Sequence, residues 1–202
     1  MNDLGNFPPW PDAMREASMV ETIASAPVDE CIWVFGYGSL MWDPRFQYRC
    51  RQHATLRGYR RSFCFWSVRG RGSPEAPGLG LALLEGATHT HGMAFRLEPD
   101  HFATDLPALW KREMVNGVYR PVWVPIEMHG DEALALTFVA DPDHPQFAGE
   151  FPADVQADYI RQATGIRGRC RDYLANVVAG LHDLGVPDSE LDDLLARVDK
   201  DT

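Results

Sequence analysis

At 202 residues, 45% of them hydrophobic, the chain is long enough to bury about 70% of its unfolded surface, and one domain is the default expectation. Its net charge of −10 argues against nucleic acid or an anionic membrane as the main partner, although a small anion responds to local charge instead. There is no run of about 18 apolar residues, and Met1 to Val20, with Pro8, Pro9 and Pro11, lacks the basic start and apolar core of a secretory signal, so a cytoplasmic location is expected.

Residues 1–30 read as a loose arm followed by a short helix, and residues 31–202 as a single domain. Asp12 opens the helix, Met14, Ala17, Met19 and Ile23 form its apolar face, and Pro27 ends it. The run Cys31-Ile32-Trp33 then leads into Val34-Phe35-Gly36-Tyr37-Gly38-Ser39-Leu40, the stretch on which the functional reading rests. β-Branched and aromatic residues breaking into two glycines one residue apart predict a strand that ends in a tight loop, where backbone amides approach a ligand closely.

Phe46 to Leu56 alternates weakly and reads as a strand. Arg57-Gly58-Tyr59-Arg60-Arg61-Ser62-Phe63-Cys64-Phe65-Trp66 is a second, stronger one. On a strand Arg60 and Arg61 face opposite sides, so at most one points inward; Arg60 is taken as the candidate for a substrate carboxylate. From Arg69 to Gly80, four glycines and two prolines predict a mobile or ligand-covering loop. Leu79–Leu84 and Gly92–Leu97 read as two strands joined by a hairpin connection over residues 85–91, whose His89 and His91 read as solvated turn residues without a completing metal ligand.

Asp105, followed by Leu106-Pro107, predicts a helix N-cap, and Asn116-Gly117 a stop after Val115. On the helical wheel Leu106, Leu109 and Trp110 make one stripe with Glu113 in its middle, while Lys111 and Arg112 point elsewhere. A carboxylate on a core-facing stripe should gain affinity for a proton, which suits a general base. Pairing with a buried arginine fits the same position equally well.

Val118–Met128 and Ala133–Ala140 predict a hairpin across His129-Gly130-Asp131. Asp141 to Pro145 predicts a loop, and Pro152 with Asp154 a helix ending near Gly165. Cys170, Tyr173, Leu174, Val177, Val178 and Leu181 then mark a helix stopped by Gly185, and Asp188 caps a last one. The four cysteines, 31, 50, 64 and 170, lack a Cys-x-x-Cys pair and read as reduced thiols. Strands clustered before Ala140 without regular βα alternation favour an α+β fold with a small mixed β-barrel or curled sheet and flanking helices. A dinucleotide reading of the glycine loop fails at the third fingerprint position, where Met41 stands.

Taken together, Val34 to Trp42 and Trp110-Lys111-Arg112-Glu113-Met114, with Gly117 and Tyr119, closely resemble the ChaC family of glutathione-specific γ-glutamylcyclotransferases. Arg57-Gly58-Tyr59, Phe63, Asp141-Pro142, His144-Pro145, Gly165, Gly168 and Tyr173 resemble family positions in the same order. The resemblance implies a γ-glutamylcyclotransferase-like mixed β-barrel and cleavage of glutathione to 5-oxoproline and cysteinylglycine. It implies Glu113 as base and acid, and Phe35, Gly36, Tyr37, Gly38, Ser39 and Leu40 around the γ-glutamyl group. Tyr119 and Tyr173 would offer hydroxyls. Because the substrate's own α-amine is the nucleophile, no metal or organic cofactor is implied, and no protein partner. Cys170 stands where the family commonly has asparagine, and reads as a packed thiol. Other γ-glutamyl amino acids or γ-glutamylamines are the alternative substrates; a non-catalytic regulatory protein linked to cation transport is the alternative class, against which the presence of Glu113 argues.

Overall fold

A computed structural model describes residues 7–26 and 32–200 of the chain. Among the described residues its contacts define two units, one made of residues 8–26, 32–61 and 83–141, the other of Phe7 with residues 62–82 and 142–200. Pro27 and Cys31, expected to end the first helix and open the first strand, lie outside the described residues.

The first unit is built around a closed barrel with strand order β1-β3-β2-β4-β5. Here β1 is Trp33–Gly36, β2 Tyr48–Ser67, β3 Gly78–Leu97, β4 Tyr119–Met128 and β5 Asp131–Ala140. The barrel is mixed. β1 pairs antiparallel with β3, Gly36 opposite Met93, and parallel with β5, Val34 opposite Leu136. β4 and β5 form the expected hairpin, whose turn places His129 and Gly130 at φ 46° and 95°, the left-handed pair that a two-residue β-turn requires. Val34, Phe35, Leu56, Phe95, Ile126 and Leu136, all fully buried, fill the interior.

Two strand expectations need correction. Phe46–Leu56 and Arg57–Trp66 are one 20-residue strand, β2, interrupted only by Gly58 at φ 80°. The supposed hairpin at residues 85–91 does not exist, because Gly78–Leu97 runs as a single strand. Polar composition suggested a turn there, but Thr88-His89-Thr90-His91 are residues that a half-exposed strand accommodates, and no Asn-Gly or Asp-Gly pair is present to reverse the chain.

Two helices belong to this unit, α1 (Asp12–Ala24) and α2 (Phe102–Glu113). α2 starts three residues before the expected cap; Asp105 instead accepts the Gln47 backbone N–H at 2.7 Å. The predicted stripe is the buried one, with Leu106, Leu109 and Trp110 inside. Trp110 meets Phe138 of β5 edge-on and donates its indole N–H to Ser18 of α1 at 3.3 Å. The arm is anchored at Trp10, whose backbone N–H bonds the Val115 carbonyl at 2.7 Å. Its ring covers Gly117, at φ 77° and with no room for a Cβ.

In the second unit lie α3 (Ala153–Gln162), α4 (Cys170–Asp183) and α5 (Ser189–Asp199), with a two-residue ladder of β6 (Thr164–Gly165) and β7 (Gly168–Arg169) that sequence reading missed. Asp188 caps α5 as expected, its carboxylate accepting the Leu191 N–H at 3.3 Å. The glycine-rich connection expected to be mobile is tied to this ladder, since Ile166 and Arg167 donate backbone hydrogen bonds to Arg69 and Gly70. Among the described residues no helix is long and apolar enough to cross a membrane.

Cys170 lies on the buried face of α4 and donates its thiol to the Leu79 carbonyl at 3.2 Å. Burial pushes the thiol up to about 11, so the nucleophilic thiolate is scarce at neutral pH, in agreement with a packing role. Alkylation of the native protein at pH 8, mapped by peptide mass spectrometry, should therefore modify exposed Cys50 and leave Cys170 unmodified until the protein unfolds. Rapid native-state labelling of Cys170 would contradict that assignment.

Candidate active site

Each piece of the glycine loop is held by a different neighbour. β1 delivers Phe35, whose wholly buried ring lies over Gly92 and whose carbonyl accepts the Thr137 hydroxyl at 3.0 Å. Tyr37 is also buried, and its hydroxyl donates to the Phe138 carbonyl at 2.8 Å, which bolts the loop to β5. After Gly38 the chain makes one 3-10 turn, Ser39–Met41, closed by a bond from the Met41 N–H to the Gly38 carbonyl. The amides of Ser39 and Leu40 precede that closure, where a turn's N–H groups have no partner of its own making. Gly36 is needed for closeness. A Cβ there would stand 2.7 Å from the Leu40 Cβ and 3.3 Å from its carbonyl carbon, because the turn folds directly back on the strand.

Arg61, not Arg60, is the buried arginine of β2. Its Nε donates to the Tyr37 carbonyl at 2.8 Å and its Nη2 to the His91 carbonyl, so it joins the loop to β3. The half-buried Arg60 lies against Gly86. The physical reason is Gly58: Ala54 and Leu56 set even-numbered residues inward, and a left-handed residue breaks that alternation before the arginines are reached. His91 also has His53 beside it, Nδ1 to Nε2 at 3.2 Å, yet among the described residues no group of three or more side chains is arranged to hold a metal ion.

Glu113 is the last residue of α2, its side chain only 16% exposed. It is paired. Arg112, 15% exposed, places Nε 2.9 Å from the Glu113 carboxylate, contrary to the expectation that this arginine points away. The same guanidinium donates Nη2 to the Ser39 hydroxyl at 2.8 Å and Nη1 to the Asp43 carbonyl. One cation thus spans the carboxylate, the first residue of the 3-10 turn and Asp43 two residues beyond its end. Wheel reasoning missed it because neighbours in sequence do not share a helix face. At the last residues of a helix, however, a long side chain can swing past the terminus. The charge and the length of Arg112 were the available signal.

Tyr119 begins β4 half-buried, opposite Ala140 of β5. Tyr173 belongs to the other unit, on α4, where it meets Phe63 edge-on and carries the Arg71 guanidinium 5.2 Å above its ring. Chemically, the barrel unit offers a carboxylate with a charge partner, and a loop whose carbonyls are engaged while its turn amides lie ahead of the first closure. The expected apolar surround of Glu113 is thus replaced on one side by a guanidinium 2.9 Å away.

Residues 32–201 match the family model described as ChaC-like protein. The chain is 39% identical over 192 residues, 95% of its length and 83% of the relative's, to the glutathione-specific gamma-glutamylcyclotransferase of Escherichia coli K12. It is 32% identical over 174 residues to the human glutathione-specific gamma-glutamylcyclotransferase 1, covering 84% of this chain and 78% of the human protein. A crystal structure of the yeast cyclotransferase specific to glutathione superposes with a TM-score of 0.77 at 23% identity, over 85% of this chain and 97% of the yeast chain.

Proposed function

The chain belongs to the ChaC-like family, and on that footing we propose that it is a glutathione-specific γ-glutamylcyclotransferase, releasing 5-oxoproline and cysteinylglycine. The observation that carries this reading to particular residues is the shared guanidinium: Arg112 bonds Glu113 on one side and the turn of the glycine loop on the other.

The reaction is an intramolecular aminolysis. The α-nitrogen of the γ-glutamyl group forms a bond to the γ-carbonyl carbon, and the bond from that carbon to the cysteine nitrogen breaks. Both reacting groups sit on one substrate molecule, so the enzyme's first task is to hold the glutamyl chain folded, which removes much of the entropic barrier. Glu113 takes a proton from the α-ammonium and returns one to the departing amine, so no net proton is consumed. The turn amides of Ser39 and Leu40 supply hydrogen bonds to the α-carboxylate or to the oxyanion, charge-assisted and strong in a site shielded from water. Arg61, committed to Tyr37 and His91, sets the loop's shape. Within the barrel unit, Arg60 is the candidate for a substrate carboxylate and Tyr119 offers a hydroxyl. The bond exchange is redox-neutral and its nucleophile is the substrate's own, so its chemistry calls for no organic cofactor. Reduced glutathione as the substrate, and scattered cysteines without a Cys-x-x-Cys pair, support a cytoplasmic location.

Incubating the purified protein separately with glutathione, γ-glutamylcysteine and γ-glutamylalanine, and measuring 5-oxoproline, tests the reading. Release from glutathione alone is expected. Release from the dipeptides with glutathione left intact would overturn the substrate, and release from none of them would overturn the enzyme.

A further inference from the structure

We infer that Arg112 is a positioning residue, a single strut that fixes the Glu113 carboxylate relative to the substrate loop so that base and γ-glutamyl group stay in register. The inference rests on the function proposed above and goes beyond it, since it concerns a residue that takes no proton and need not touch substrate.

Three contacts carry it. Arg112 Nε lies 2.9 Å from the Glu113 carboxylate, Nη2 lies 2.8 Å from the Ser39 hydroxyl, and Nη1 bonds the Asp43 carbonyl. The guanidinium is planar and rigid, so fixing two of its nitrogens fixes the third. The loop end of the strut is itself anchored, because the Asp43 N–H bonds the Ser39 carbonyl at 2.9 Å and Leu40 and Met41 are buried. At the helix end, Met114 is buried and its N–H bonds Trp110 at 2.8 Å, so the base stands on a packed terminus. Arg112 joins the two, holding the Glu113 carboxylate with one nitrogen and the Ser39 hydroxyl with another. A lysine at the same place keeps the charge but replaces the fork by a point, and cannot make all three contacts with one geometry.

A double-mutant cycle on the purified protein, read as kcat and KM for glutathione with unfolding midpoints measured alongside, tests the strut. R112Q should lower kcat by about 10²-fold, the scale expected of a reacting group misplaced by about 1 Å. R112K should recover part of that loss, with kcat still about tenfold below the original chain. S39A should chiefly raise KM, and in the R112Q background its effect should largely vanish, since the contact it removes is already gone. Additive effects of S39A and R112Q would overturn the inference. So would R112Q or R112K with a lowered unfolding midpoint but unchanged kcat and KM per folded molecule, which is what a merely structural arginine would give. If R112Q does not fold, the cycle is run with R112K and judged by the same additivity. Failure of the underlying function is distinguishable, because the unsubstituted protein would then release no 5-oxoproline at all.

Discussion

Replacing Glu113 by glutamine is expected to leave a folded protein whose release of 5-oxoproline from glutathione falls by about 10²- to 10⁴-fold, the usual worth of a general acid–base group. Glutamine keeps the length and volume of the side chain, and its amide oxygen can still accept from Arg112 Nε. Arg112 thereby keeps its bonds to Ser39 and Asp43, and the loop that receives the substrate keeps its shape. What is lost is the ability to take a proton from the α-ammonium. Loss of one charge from a largely shielded pair should destabilise the protein by about 1 kcal/mol, well below the figure for a fully buried pair, because both side chains retain some contact with water. That corresponds to a lowering of the unfolding midpoint by about 2–4 °C for a chain of this size. The decisive pattern is therefore a near-native circular dichroism spectrum and melting curve, a KM or directly measured glutathione affinity within a few fold, and kcat reduced at least a hundredfold. Full activity in Glu113→Gln would sink the mechanism and return Glu113 to the reading in which it only pairs with an arginine.

The second large effect is expected at Gly36, for a reason independent of proton transfer. Alanine there puts a methyl group 2.7 Å from the Leu40 Cβ, closer than real Cβ contacts come. β1 cannot yield, because Trp33 to Gly36 are paired with Arg96 to Met93 on one side while Trp33 and Val34 pair with β5 on the other. The turn at Ser39–Met41 has to move instead, by about an ångström if ordinary contact is to be restored, and displacement on that scale costs about 10²-fold in catalysis. Overpacking of this kind also costs about 1–3 kcal/mol of stability. Gly130→Ala is the useful contrast. Gly130 has φ 95° in the β4–β5 turn and nothing near its missing Cβ, so alanine there strains the backbone without touching the loop. Gly36→Ala should lose kcat/KM for glutathione by about two orders of magnitude, whereas Gly130→Ala should lose only stability. Equal activity in the two variants would show that the loop tolerates the shift and that its close packing is not what positions the substrate.

The hairpin of β4 and β5, the buried stripe of α2, the cap at Asp188 and the stop at Gly185 were legible because each is decided by residues within a few positions of one another. The continuity of β3 is not legible, for the complementary reason. Whether Glu85 to His91 turns or continues is settled by the strands pairing alongside, not by its own composition. The anchoring of Trp10 is equally hidden, because nothing near it in sequence foretells that Val115 and Gly117 will offer a carbonyl and a bare backbone to receive it.

By itself the sequence determined the α+β class, the glycine loop and the carboxylate on the core-facing stripe of α2, since periodicity and local motif are enough for each, while the family resemblance rested on several separated motifs in the same order. Only the tertiary structure decided which of two adjacent arginines turns inward at Arg61, and that Arg112 bends from the end of α2 to Ser39 and Asp43. The physical reason is the same in both cases. The acceptors that hold Arg61, the Tyr37 and His91 carbonyls, lie 24 and 30 residues from it, and those of Arg112 on Ser39 and Asp43 lie 73 and 69 residues away, so each meets its arginine only when the chain has folded.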